Sequence, residues 1–191
     1  MKTVLLFLLF FQSNTFSQTT ENLKIQTQKY HDAQHTMDFD ILVDMTYPKI
    51  VQTIIREVMT EKLDSDYQND EFRKRIQIVK PDFKYSVPKK IDGTTVCIIT
   101  YYNPIRYFFE IKLDAASAAK KVSALKISNN ASEVIYEPKR NSINVKRVSK
   151  IIAISDETTQ NQWKFIDPYD SSQMAIFETL VSAESKTALG L

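Results

Sequence analysis

Glycine is nearly missing: the 191 residues contain two, Gly93 and Gly190. Neither stands in a glycine-rich phosphate motif, so the loops whose backbone N–H groups close on a nucleotide are excluded. A G-x-S-x-G nucleophile elbow is excluded for the same reason. Cysteine is scarcer still. Cys97 is alone, so the chain can form no intramolecular disulfide, and its stability rests on packing. In Val96-Cys97-Ile98-Ile99 the thiol has no base beside it, the setting of a buried inert residue rather than a nucleophile. Apolar runs all fall short of the roughly 20 residues a membrane span needs.

What is present at the start is Lys2, then the apolar run Val4 to Phe11, then the polar stretch Gln12 to Gln18. This pattern predicts a secretory signal peptide over residues 1–17, with Thr15-Phe16-Ser17 placing small residues where a signal peptidase reads. Cleavage is expected after Ser17, with Gln18 as the next choice. The mature chain, 18–191, is then an exported protein of the periplasm or the exterior, with no transmembrane segment. Hydrophobic residues at 43% and charged residues at 25% are ordinary for a globular chain, and no linker or repeat divides it, so one domain is expected.

Tyr30, Ala33, Met37, Ile41 and Met45 recur at helical spacing and predict one amphipathic helix. Pro48 interrupts it and opens a second, with Ile50, Val51, Ile54, Ile55, Val58 and Lys62 on its stripe, ending between Asp64 and Asp70. From Phe72 the period becomes two. Ile76 and Ile78, Tyr85 and Val87, Val96 to Tyr102, and Tyr107 to Leu113 read as strands. Asp92-Gly93 is a hairpin signal and Asn103-Pro104 a second turn, which predicts an antiparallel meander. Asp114 caps an alanine-rich helix to about Lys126. Extended segments follow around Val134-Ile135-Tyr136, from Ile143 to Ile154, and from Gln162 to Ile166, before a last helix over about Ser171 to Ala183.

The expected class is therefore α+β, a curved antiparallel sheet packed against N-terminal helices, with one mid-chain and one C-terminal helix. This order resembles the α+β roll of the cystatin-like and nuclear-transport-factor-two-like folds. It also resembles small exported bacterial proteins of unknown function that end in a tryptophan strand such as Gln162-Trp163-Lys164-Phe165-Ile166-Asp167. The resemblance implies a sheet wrapped around a long helix and no particular activity, because such rolls host enzymes and binding modules alike.

His31 and His35 are four residues apart and share a helix face, the spacing of a metal-binding pair. Asp32 between them is one methylene short of the glutamate that serves as base in H-E-x-x-H enzymes. Without a metal they are two solvated polar residues, and no metal or cofactor is expected. Asp40 and Asp44, one turn apart, are the candidate acid–base pair of an alternative reading, a small-ligand pocket or hydrolase-type enzyme inside the roll. Among the aromatics flanking Asn103-Pro104, Tyr102 and Phe108 are expected in the core. Tyr101 and Tyr107 are expected to line a cavity or a contact surface.

Charge is strongly segregated. Residues 19–71 hold 5 basic and 11 acidic side chains, 72–150 hold 17 and 6, and 151–191 hold 2 and 6. Arg73, Lys74, Arg75, Lys80, Lys84, Lys89 and Lys90 belong to the first strands and their turns, and Lys139, Arg140, Lys146, Arg147 and Lys150 to later ones; if they gather on one sheet face they form an anion-attracting surface. The leading expectation is thus a non-enzymatic exported protein that binds a protein partner or an anionic envelope component through Arg73, Lys74, Arg75, Tyr101 and Tyr107. Nucleic acid is not an expected partner, since export and the lack of a recognition motif both argue against it.

Leader removal is checked by intact mass of the protein recovered after export. The expected species begins near Gln18, and one that retains Met1 to Phe11 contradicts the reading.

Overall fold

The computed structural model describes residues 20–191 except Asp92 and the side chain of Ala188. The signal peptide expected over 1–17 lies outside the described residues. Within them the class is α+β, as the pattern predicts: helices α1 (20–36), α2 (Phe39–Met45), α3 (Pro48–Thr53) and α4 (Arg56–Tyr67) precede two antiparallel sheets. No helix among these residues is long and apolar enough to cross a membrane.

The first predicted helix is broken in two. Met37 adopts a left-handed φ of 58°, Asp38 N–H donates back to the Ala33 carbonyl at 2.9 Å, and Asp38 Oδ1 accepts from Ile41 N at 3.1 Å. A Schellman-type ending and a new N-cap are thus stacked on consecutive residues. Tyr30, Ala33 and Met45 still share a core. The second helix is also broken, where Ile54 and Ile55 are extended between α3 and α4. Ile50 and Met59 are buried, whereas Ile55 and Val58, expected on the same stripe, are exposed.

One sheet contains β4 (Thr94–Tyr102), β8 (Val148–Ser155) and β9 (Lys164–Ile166), with β2 (Lys84–Tyr85) and β3 (Lys89–Ile91) both pairing along the outer edge of β4. The other has the order β1 (Phe72–Ile76), β5 (Ile105–Phe109), β7 (Ser142–Lys146), β6 (Glu133–Glu137). Helix α5 (Ala115–Ser128) is capped by Asp114 as predicted, its carboxylate accepting from Ser117 N at 2.7 Å. The β3–β4 hairpin also forms where Asp-Gly predicts it, with Ile91 opposite Thr94 and Gly93 at φ 84°. The last helical region comprises α6 (Ser171–Phe177) and α7 (Ala183–Leu189).

The meander does not form. Asn103-Pro104 carries the chain from one sheet into the other instead of folding β5 back on β4, and Arg147 does the same between β7 and β8. Asn103 N donates to the Arg147 carbonyl at 2.9 Å between these crossings. Tyr102 faces Val148 before the bend and Ile105 faces Val145 after it, so the register does not slip. The odd-numbered residues of both ribbons therefore stay on one side, which we term the inner face. Cys97, Ile99 and Tyr101 pack there with α1, and Ile105, Tyr107 and Phe109 with α5 residues such as Val122 and Leu125. The even-numbered Val96, Ile98, Ile152 and Ile154 pack with Tyr47, Ile50 and Phe177. Burial of the first sheet on both faces explains why its strands read as continuous apolar runs.

Phe165 joins these layers. It is 1% exposed, its ring lies 4.7 Å from that of Tyr30 on α1, and its carbonyl accepts from Tyr47 N at 3.0 Å. Phe165→Ala is expected to cost about 3–5 kcal/mol by chemical denaturation, the range for an aromatic removed from a packed core. A loss below about 1 kcal/mol would place the junction elsewhere.

Candidate functional site

Strand alternation decides where the predicted basic group goes. Along β1, Phe72, Lys74 and Ile76 stand opposite Phe109, Tyr107 and Ile105 on the inner face, whereas Arg73 and Arg75 share the other side with Phe108 and Arg106. Arg73, Lys74 and Arg75 thus do not gather on one face.

The outer face of the second sheet is open: Phe108 and Ile135 belong to none of the three cores, and Ile135 is exposed. Arg73 Nε donates to Glu110 Oε1 at 2.7 Å. Arg106 donates to Asn144 Oδ1 at 2.5 Å and to Glu137 Oε1 at 3.3 Å, and Arg140 Nε is 3.9 Å from the other oxygen of Glu137. Lys146 pairs with Glu133. Arg75 stands directly opposite Arg106. It donates only to the Lys74 carbonyl at 2.8 Å and Gln68 Oε1 at 3.3 Å, with no ion pair among the described residues. Tyr102, expected in the core, is 42% exposed on this even-numbered side, while Tyr101 and Tyr107 are buried.

At the bend the inner face turns polar. Tyr101 donates to Gln34 Oε1 of α1 at 3.0 Å. Asn103, 3% exposed, donates to Ser149 Oγ at 3.0 Å, and its Oδ1 has no partner among the described residues. Arg147 Nη1 donates to Asn129 Oδ1 at 3.0 Å, its guanidinium lies 5.8 Å from the centre of the Tyr169 ring, and its buried Nε is unpartnered. Asp167 accepts from Tyr169 N at 2.8 Å. Burial pushes its carboxyl above the usual range, against the pull of that bond and of Arg147. Tyr30, Gln34, Tyr101, Asn103, Arg147 and Asp167 line a cavity of about 30 Å³ together with the half-exposed Tyr169.

Lys74 lies alongside, with its Nζ 4.3 Å from the centre of the Tyr67 ring and no ion pair among the described residues. Burial lowers its amine to about 8, and the positive charges of Arg147 and Lys62 act in the same direction. Burial also raises the hydroxyls of Tyr30, Tyr67, Tyr101 and Tyr107.

No family model, curated protein or solved structure matches this chain.

The remaining predicted residues lie apart. Asp40 and Asp44 are exposed and share one guanidinium, that of Arg56, at 2.9 and 2.5 Å; neither lines the cavity. His31 is not solvated but buried, edge-on to Phe83 and Tyr101 with ring centres at 5.6 and 5.5 Å, and burial lowers its pKa. His35 Nε2 is buried as well. Among the described residues no group of three His, Cys, Asp or Glu could hold a metal. Sequence reasoning places Arg147 among the basic residues of the later strands and Asn103 in a turn, but it does not bring either together with Asp167. For the first two a signal existed, since each falls at an inward position of a strand pattern that is otherwise apolar.

Lys74 generates a pH prediction. Below about 8 the amine is charged in both states, and the folded protein bears its desolvation. As pH rises toward 10.5, the ordinary lysine value, the folded state releases the proton first, so stability should rise. Thermal unfolding between pH 7 and about 10 should show this gain in the wild type and not in Lys74→Met. A parallel pH dependence in both proteins would remove Lys74 from the interior.

Proposed function

We propose that this is a non-enzymatic exported binding protein that presents the outer face of its second sheet to an anionic partner, a protein or an envelope component. The carrying observation is the guanidinium pair Arg75 and Arg106, placed opposite each other on adjacent strands with no carboxylate for Arg75. Like charges in that relation oppose sheet pairing, and planar guanidinium forks are suited to carboxylate and phosphate oxygens. At this face and its edge, five cations (Arg73, Arg75, Arg106, Arg140 and Lys146) meet three carboxylates (Glu110, Glu133 and Glu137). Phe108, Ile135 and Tyr102 supply apolar contact beside them. Lys74, Tyr101 and Tyr107 are not part of this surface; Arg106 and Phe108 take their place.

The test is Arg75→Glu. The new carboxylate faces Arg106, so stability should hold to within about 1 kcal/mol. Capture of partner from the native envelope should fall, chiefly through slower association, and wild-type capture should itself weaken as salt rises. Equal capture by both proteins at low and moderate salt would remove this face from consideration.

A further inference from the structure

The inner face of the bend holds two cations, Arg147 and Lys74, that form no ion pair among the described residues. The neighbouring carboxylate, Asp167, is bonded to a backbone N–H instead. Strand alternation places Arg147 in line with Ile143, Val145, Ser149 and Ile151, where an apolar residue would serve packing better. Arg147 as a whole is half-buried, but its Nε is buried and without a partner among the described residues; a buried donor left unpaired is costly, and an anionic acceptor would offset that cost. Four features narrow its chemistry. Asn129 takes Nη1 of Arg147, leaving the Nε edge of the guanidinium as a fork for two oxygens. Asn103 Oδ1, within the same cavity and 3% exposed, is an acceptor awaiting a donor. The space, about 30 Å³, limits what is enclosed to a few heavy atoms. A carboxyl group, Asp167, in the same lining disfavours a dianion such as phosphate more than a monoanion.

We propose that this cavity binds a small 2-hydroxycarboxylate, its carboxylate on Arg147 and its hydroxyl donating to Asn103 Oδ1, with the remainder of the ligand leaving past Tyr169. The site lies on the opposite side of the sheet from Arg75 and is independent of the anionic-partner reading.

The probes are glycolate, acetate and inorganic phosphate, titrated at fixed ionic strength and followed by amide NMR shifts. Glycolate should give saturable shifts around Tyr101, Asn103 and Ser149. Acetate, lacking the hydroxyl, should bind several-fold more weakly, and phosphate should not compete. Arg147→Met keeps the side-chain length and should weaken glycolate by about tenfold or more, with a melting temperature equal to or above that of the wild type. Asp167→Asn removes a competing carboxyl from the lining and should tighten glycolate, which keeps the idea open to test if Arg147→Met fails to fold. Non-saturating shifts in the wild type, phosphate competing as well as acetate, or glycolate binding unchanged in Arg147→Met or in Asp167→Asn would overturn the proposal.

Discussion

The constant register through the bend is what the rest of the structure depends on. Because Tyr102 faces Val148 on one side and Ile105 faces Val145 on the other, a residue's parity decides its side in both sheets. A slip by one position would turn Arg106 and Phe108 inward and Ile105 and Tyr107 out to water. The Asn103–Arg147 backbone bond closes the ladder at the crossing. In holding it, the chain brings the side chains of Asn103 and Arg147 to the junction between two apolar cores, so the bend is also where the interior becomes polar.

Much of the architecture was legible because its determinants are local. The aspartate ahead of α5, the Asp-Gly hairpin and the period-two strands each act over a few residues. The break between α1 and α2 was hidden because Met37 takes a left-handed conformation that methionine rarely adopts. At Asn103-Pro104 the local chemistry indicates a change of direction but carries no information on pairing, which is settled by the distant strands β7 and β8. On the candidate site, alternation alone separates Lys74 from Arg73 and Arg75. The convergence of Asp167 with Arg147 needs the closed fold, since no sequence spacing links them.

The segregation of charge along the chain survives folding. Among the described residues, Lys121 of the basic stretch 72–150 pairs with Glu71 of the acidic N-terminal stretch, whereas Arg73, Arg106, Arg140 and Lys146 find carboxylates within their own. The acidic side chains Asp40 and Asp44 are held by Arg56 from their own stretch as well. Direct pairing therefore leaves the strands their positive surplus, and long-range attraction to anions remains available to them.

The outer edge of β4 has a consequence for solubility. It is finished by two short strands, β2 and β3, that carry Lys84, Lys89 and Lys90 and are separated by a segment containing Pro88. An incoming strand would meet lysines it must desolvate and a proline that offers no N–H, over pairing lengths of two and three residues. The sheet is thus guarded against edge-to-edge growth into fibrous assemblies, a protection suited to a chain whose central strands are long, apolar and rich in isoleucine.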